Sequence, residues 1–293
     1  MVVALSGGID SSVTAALSVA ALGKERVFGL HMPEQDSSSE TLGLSQSVSG
    51  HFGFASAEED LTPVLESVGC YTRRDDAIRS VIPEYGQGWK SKIVLPNVTE
   101  HAGFNFYSVV AQSPEGATLK KRLPLEAYLQ IVAATNFKQR VRKMLEYYHA
   151  DRPNYLTTGT PNRLEYDQGF FVKLGDGAAD IKPIAHLYKT QVYQMAEYLG
   201  VPEKIRRRPP TTDTYSLSQG QDEFYFSLPY DQMDLCLYGK NHGVSAEVVA
   251  HTLGLTAEQV DRVYKDIDTK RRSTLYLHLK PRLISEVSEI QGV

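Results

Sequence analysis

The chain has 293 residues, with 35 acidic side chains against 31 Lys plus Arg for a formal net charge of −4, and 42% apolar against 23% charged residues. That balance excludes a disordered polyelectrolyte and a globally basic nucleic-acid binder. Cys70 and Cys236 cannot build a disulfide framework or a four-thiolate zinc site and fit a reducing cytosol, and no apolar run approaches the ~18–20 residues that span a bilayer.

Residues 2–5 (Val2-Val3-Ala4-Leu5) are apolar and partly β-branched, which predicts a buried strand. Ser6-Gly7-Gly8-Ile9-Asp10-Ser11-Ser12 comes next, then an Ala- and Leu-rich helix over 13–22 that Gly23 stops. A second strand at 26–32 completes a βαβ unit, and with it a parallel sheet carrying helices on its faces. A polar loop at 33–39, a helix at 40–52, a strand within 54–60 and a helix at 62–69 continue the alternation.

Residues 75–128 break it. Pro83, Gly86, Gly88, Pro96, Gly103, Pro114 and Gly116 interrupt any periodicity, and Tyr85, Trp89, Phe104, Phe106 and Tyr107 call for something to pack on. An insertion, a lid or a small β subdomain fits better than a structureless loop of that length. Helical spacing returns over 135–149, where Lys138, Arg140, Arg142 and Lys143 interleave with Val141, Leu145 and Tyr148. Residues 155–158 are strand-like and run into Gly159-Thr160, 190–199 is a helix closed by Gly200, and 245–253 and 256–267 form a helix pair. Thr256 and Gln259 make a capping box, and a basic tail starts at Arg271. The expected architecture is one α/β domain over 1–293 with an insertion or subdomain at 75–128.

The glycine loop carries the strongest chemical signal. Gly7 and Gly8 let the backbone approach a ligand, the loop ends on a helix N-terminus that favours an anion, and Ser6, Ser11 and Ser12 add donors. Asp10 would repel phosphate unless a divalent cation is shared between them. The plain alternative is a strand-to-helix turn, where Gly, Asp and Ser are common. No GxxxxGK[ST] or GxGxxG string occurs.

The string resembles the loop of the PP-loop ATP pyrophosphatases (adenine nucleotide alpha hydrolase-like proteins), and later blocks resemble the NAD synthetase branch of that superfamily. Asn136-Phe137-Lys138-Gln139-Arg140-Val141-Arg142 is similar to N-I-[KQ]-A-R-x-R. Gly159-Thr160-Pro161-Asn162-Arg163-Leu164-Glu165 is similar to G-T-x-N-x-x-E. Lys173 through Asp176 to Asp180 matches K-x-G-D-x-x-x-D, with Pro183 and then Lys189 downstream. Pro210-Thr211-Thr212-Asp213, Gly220-Gln221-Asp222-Glu223, Leu228-Pro229-Tyr230 and Asp234 complete the pattern, with Lys270-Arg271-Arg272 near the C-terminus.

The resemblance implies a Rossmann-like doubly wound parallel sheet and an ATP-dependent amide ligase that converts deamido-NAD to NAD through an acyl-adenylate, with ammonia as nucleophile and AMP and pyrophosphate as products. It implies ATP contacts from Ser6, Gly7, Gly8, Asp10, Ser11, Ser12, Met32, Thr160, Lys189 and Thr211, and Mg2+ between Asp10 and Glu165. Arg140, Tyr147, Lys173, Asp176, Asp180, Lys270 and Arg271 would hold the dinucleotide. Asp10, Lys189, Asp176 and Thr211 would act in the chemistry, Thr211 from a loop closing over the adenylate. Taken singly, the cations and acids also fit solvated faces, caps and turns; His31, His149, His186 and His278 show no zinc-ligand spacing and read as structural.

Further expectations are a homodimer, a cytoplasmic location, and no nucleic-acid or membrane partner. The start on a strand reads as the absence of an amidotransferase domain and of the leading helix of small members, so that free ammonia or a separate ammonia-supplying subunit provides nitrogen. The insertion at 75–128 has no clear family counterpart and leaves open another carboxylate substrate. A non-catalytic nucleotide-binding subunit is the rival of a different class, and a tRNA-modifying role a weaker third.

Overall fold

Val3 and Leu5 face one core and Val2 the other, the two-residue alternation expected of a strand covered on both sides. This strand, β1 (Val2–Leu5), lies in a computed structural model that describes residues 1–95, 106–211, 214–220, 225–226 and 228–285. It is followed by α1 (Ile9–Leu22), β2 (Phe28–His31), α2 (Ser39–Phe52), β3 (Ala55–Glu58), α3 (Thr62–Ser67) and α4 (Cys70–Arg79). β1, β2 and β3 pair in parallel in that order, with Val2 opposite Phe28 and Phe28 opposite Ala55.

Beyond the far edge of β1 the predicted strand at 155–158 is reduced to two parallel bridges, Val2 to Thr157 and Thr158 to Ile181. α1 begins at Ile9 rather than 13, because extended Gly8 caps it, so Asp10, Ser11 and Ser12 form its first turn. One core joins Val3, Leu5, Val13, Leu44 and Val48 to Val192 and Ala196. The other joins Val2, Leu30, Leu65 and Tyr71 to Val141 and Ala150. The parallel, two-sided arrangement is the doubly wound α/β class.

The segment that broke the pattern contains a second sheet. β4 (Lys90–Val94), β5 (Ser108–Gln112) and β6 (Thr118–Arg122) are antiparallel in that order. Its apolar face packs Ile93, Val109 and Ala111 against Ile78, Ile82 and Ile131. Pro96, Gly103 and Phe104 lie outside the described residues. α5 (Leu125–Asp151) then starts well before the predicted 135. Leu125 and Leu129 in its first turns are exposed, which blurs the apolar stripe there.

The C-terminal half is helical: α6 (Arg163–Gln168), α7 (Lys189–Tyr198), α8 (Glu203–Arg206), α9 (Tyr230–Asn241), α10 (Ala246–Leu253) and α11 (Ala257–His278). The capping box at Thr256 is present, with Gln259 N–H donating to Thr256 Oγ1 at 3.2 Å and Thr256 N–H to Gln259 Oε1 at 2.8 Å. α11 runs past the predicted 267, so Lys270 and Arg271 sit on a packed helix and not in a tail. No helix among the described residues is long and apolar enough to cross a membrane.

Candidate active site

The glycine loop between β1 and α1 is braced from within. Ser12 Oγ donates to Gly8 O at 2.7 Å and Ser11 Oγ to the same carbonyl at 3.1 Å, while Ser6 Oγ accepts from Gly8 N–H at 3.3 Å. Gly7 is required for another reason. Its φ is +69°, and a Cβ there would lie 2.7 Å from Leu44 Cβ and 3.0 Å from Thr41 O. The close approach is therefore to α2, which packs beneath the loop; Gly8, not Gly7, faces the open cleft. His31 is buried under α2, with Nδ1 2.9 Å from Ser45 Oγ and Nε2 3.4 Å from Ser49 Oγ.

Residues from distant parts of the chain converge on the first turn of α1. Lys189 Nζ, wholly buried at the start of α7, donates to Asp10 Oδ2. Asn162 Nδ2 donates to Asp10 Oδ1 at 3.1 Å, and Asn162 Oδ1 caps α6 by accepting from Leu164 N–H at 2.9 Å. Glu165 closes the capping box by accepting from Asn162 N–H at 3.0 Å. Burial raises the Glu165 carboxyl above the usual carboxylate range, and Asp10 pushes it further. Burial alone would lower Lys189, but the Asp10 and Glu165 carboxylates outweigh it and hold the ammonium charged. Asp234 sets the position of this lysine by accepting from Lys189 N–H at 3.2 Å and Thr190 N–H at 2.7 Å.

Asp10 and Glu165 are the oxygen donors that could share a divalent cation, which would relieve their mutual repulsion. No cluster of three or more His, Cys, Asp or Glu stands ready for a metal among the described residues. Phosphate oxygens and water would have to complete the shell, as suits Mg2+.

A cleft of about 690 Å³ opens over the loop. Its wall contains Ser6, Gly8, Asp10, Ser11, Met32, Thr160, Glu165, Arg140, Lys173, Asp176 and Thr211 of the sequence-predicted residues. The loop end is thus joined to a distal end formed by α5 and the 169–176 turn. There Asp176 Oδ1 accepts from Val172 N–H at 2.7 Å, and burial raises its carboxyl. Lys173 Nζ donates to Tyr276 O at 2.7 Å. Lys189 lines an adjoining cavity instead, which shares Arg208, Pro209, Pro210 and Thr211 with the cleft.

Gly7, Ser12, Tyr147, Asp180, Lys270 and Arg271 are not brought to the cleft wall. Ser12 is fully buried on Gly8 O, and Tyr147 is half-buried along α5. Asp180 accepts from Thr157 N–H at 2.7 Å and Oγ1 at 3.0 Å, which secures the outer edge of the parallel sheet. Lys270 donates to Asp266 at 2.6 Å and Tyr225 O at 2.5 Å, and Arg271 grips Asp167 at 2.6 and 2.8 Å. Their charges are satisfied inside the α11 packing. Thr212, Asp213, Gln221, Asp222 and Glu223 lie outside the described residues.

Asn162, Lys143, Glu146 and the aromatic wall belong to the site although no role for them is predicted from sequence. Asn162-x-x-Glu165 is a capping-box spacing, and that signal was legible. Lys143 and Glu146, three apart on α5, form a buried pair at 2.6 Å in the distal wall. Tyr107 stacks on Tyr128 at 4.3 Å, and Phe170 on Tyr225 at 4.7 Å, all four facing the cleft. Tyr107 comes from the second sheet, and no local pattern announces its partner.

The NAD synthase family model matches residues 1–81 and 99–273. The chain is 60% identical over 291 residues to the NH(3)-dependent NAD(+) synthetase of Rhizobium meliloti (strain 1021), covering 99% of this chain and 87% of that protein. It is 37% identical over 250 residues to the enzyme of the same name from Thermotoga neapolitana, covering 84% and 80%. Among solved structures, an NH3-dependent NAD synthetase from Campylobacter jejuni superposes with a TM-score of 0.60 at 20% identity, covering 97% of this chain and 88% of that one. An NMN synthetase from Francisella tularensis superposes at 0.62 with 20% identity, covering 96% and 89%. Those two likenesses speak to the fold; the family match and the high identities over nearly full length establish that the chain belongs to the NAD synthase family.

Proposed function

We infer that this chain is a ligase that amidates deamido-NAD with ATP and ammonia, yielding NAD, AMP and pyrophosphate. The observation that carries the reading is the convergence of Lys189, Asn162 and Glu165 on Asp10 at the mouth of the glycine loop, in a chain 60% identical to a named NH(3)-dependent NAD(+) synthetase. Nicotinate oxygen attacks the α-phosphorus of ATP, the bond to the β-phosphate oxygen breaks, and pyrophosphate leaves. Ammonia then attacks the acyl carbon and AMP leaves with the mixed-anhydride oxygen.

Ser6, Gly8 and Ser11 would hold phosphate with backbone and hydroxyl donors at the α1 N-terminus. Lys189, already charged and dry, would stabilise the negative charge that builds on the leaving pyrophosphate, with Thr211 beside it. Met32 and Thr160 would border the nucleoside. Arg140 and Lys173 would meet the anionic dinucleotide at the distal end. Asp176, a carboxyl that burial raises above its ordinary range, would orient ammonia and, as the carboxylate, accept its surplus proton. Asp10 and Glu165 would hold Mg2+, whose chemistry when bound is neutralisation of phosphate charge.

The relatives' naming as NH(3)-dependent supports ammonia itself as nitrogen donor. Leu125, Leu129, Met144 and Tyr148 on α5 and Leu174 beside the cleft are exposed apolar side chains, which supports a homodimer formed over this face. The charge balance and reduced cysteines are consistent with the cytoplasm. The test is turnover of deamido-NAD with Mg-ATP and ammonium, following AMP and NAD together; no AMP at saturating substrates overturns the reading.

A further inference from the structure

Residues 216–219 are held along the second sheet. Backbone and side chains of β4 run beside 216–219: Leu217 N–H donates to Ser91 O at 3.1 Å, Ser91 N–H to Ser216 Oγ at 2.8 Å, and Gln219 Nε2 to Ile93 O at 2.5 Å. Tyr215, 5% exposed, is sunk in the core beneath that sheet with Ile82, Ile93 and Val109. Lys138, 1% exposed, donates to Thr214 O at 2.9 Å while paired with Glu34 at 2.9 Å and Asp36 at 2.6 Å on the loop after β2. The clamped stretch ends at Gly220, which forms an antiparallel bridge with Thr211. Thr211 in turn lies in the wall shared by the cleft and the Lys189 cavity.

We propose that the three-stranded sheet is a positioning element of the nucleotide site: it holds residues 214–219 as an added, partly side-chain-paired edge of β4, and through the Gly220–Thr211 bridge fixes Thr211 against the ATP phosphates. Ser91, Ser216, Gln219 and Lys138 are positioning residues, because none of them faces the cleft or its neighbour. The physical logic is pre-organisation. Among the described residues between Pro210 and Gly220, none belongs to a helix or a named strand. Hydrogen bonds to the edge strand β4 and a buried tyrosine restrict this stretch before ligand arrives, so less ordering is left to oppose binding. The proposal rests on the Ser6-to-Ser12 loop being the ATP site.

The test is the double variant Ser216→Ala/Gln219→Leu in the full-length protein, with Ser216→Thr as the conservative control that keeps the hydroxyl. Hydrogen exchange of ligand-free protein reads the anchoring directly, and equilibrium binding of ATP reads its consequence. The expected result is exchange at 214–220 at least tenfold faster with β1 and α1 unchanged. ATP dissociation constant and KM should rise about tenfold, the KM for deamido-NAD should stay within twofold, and Ser216→Thr should lie near the parent. Unchanged exchange at 214–220 overturns the anchoring, and faster exchange with unaltered ATP affinity overturns its link to Thr211. An unfolded double variant transfers the same two readings to Gln219→Leu alone. Failure of the parent protein to bind ATP would instead count against the loop as nucleotide site, while the exchange result still judges the anchoring.

Discussion

Lys189 and Asp10, 179 residues apart, form an ion pair in which the buried ammonium of α7 meets the carboxylate of the first turn of α1 at the cleft wall. The pair answers the paradox of an acid in an anion-binding loop. Asp10 is paired with Lys189 and oriented by Asn162; with Mg-ATP bound as proposed, Asp10 would turn to the metal and Lys189 to the phosphates.

Removing only the cation should therefore be worse than removing both charges. Lys189→Met leaves Asp10 facing Glu165 with no compensating charge, and because Asp10 still reaches the cleft the cost should be about 1.5–3 kcal/mol, the scale of a lost charged hydrogen bond. Asp10→Asn/Lys189→Met should regain most of that stability in urea unfolding. Both variants should lose at least about a hundredfold in AMP formation, the scale of one lost electrostatic donor. A double variant as unstable as the single one would contradict the pairing.

The fold was legible wherever local pattern and tertiary role agree. β1, Gly7-Gly8 and α1 announce a βαβ unit, and Gly8 both caps α1 and faces the cleft. The resemblance implies Asp10 and Glu165 around one Mg2+ and Lys189 at the triphosphate; in the structure Lys189 donates to Asp10, and Asp10 adds to the upward push on the Glu165 carboxyl. Lys270 and Arg271 show the limit: their charges suit a dinucleotide in isolation, yet Asp266 and Asp167 already occupy them. Which acid a cation meets is decided by helix packing, and no spacing rule reports it. The sheet of β4, β5 and β6 was hidden for a related reason. Its strands are short, with Lys120, Lys121 and Arg122 on the exposed edge strand β6, so the alternation that marks a half-buried strand is faint.

The two glycines of the loop should respond differently to the same substitution. Gly7→Ala combines a left-handed φ of +69° with a Cβ 2.7 Å from Leu44 Cβ, so α2 must shift, and a loss of about 1–3 kcal/mol is expected. At Gly8 a Cβ would meet only Ser6 Oγ at 3.2 Å, and its φ of −83° suits any residue. Gly8→Ala should keep stability within about 0.5 kcal/mol while weakening ATP binding, because Gly8 faces the cleft. Urea melts and ATP titrations of the two variants separate the roles; equal destabilisation would refute the distinction.

Cys70 and Cys236 should be silent in the native protein. They are 1% and 0% exposed, and burial pushes both thiols up to about 11. A thiol raised in the folded state favours the protonated form, so its contribution to stability is full below the ordinary thiol pKa and fades as pH rises through 9 toward 11. At pH 8 the thiolate fraction is about a hundredfold below that of a free cysteine. Iodoacetamide labelling followed by mass spectrometry should show negligible alkylation at pH 8 and rapid alkylation in urea. Native labelling at the rate of a free peptide would mean that one of these sites opens.

Asn162 offers the sharpest separation of fold from chemistry, because its two side-chain atoms do different things. Oδ1 caps α6 for Leu164 and Glu165, at 2.9 and 3.2 Å, and Nδ2 donates to Asp10 at 3.1 Å. Asn162→Ala loses both and should cost about 1–2 kcal/mol through the missing cap. Asn162→Asp keeps a good N-cap acceptor, yet places a third carboxylate against Asp10 and Glu165, where burial already disfavours charge. At neutral pH its cap survives and its donor does not. The aspartate variant should therefore keep α6 protected from hydrogen exchange while turnover with Mg-ATP falls at least about tenfold, since Asp10 loses the bond that aims it. Full turnover in Asn162→Asp would show that Lys189 alone suffices to orient Asp10.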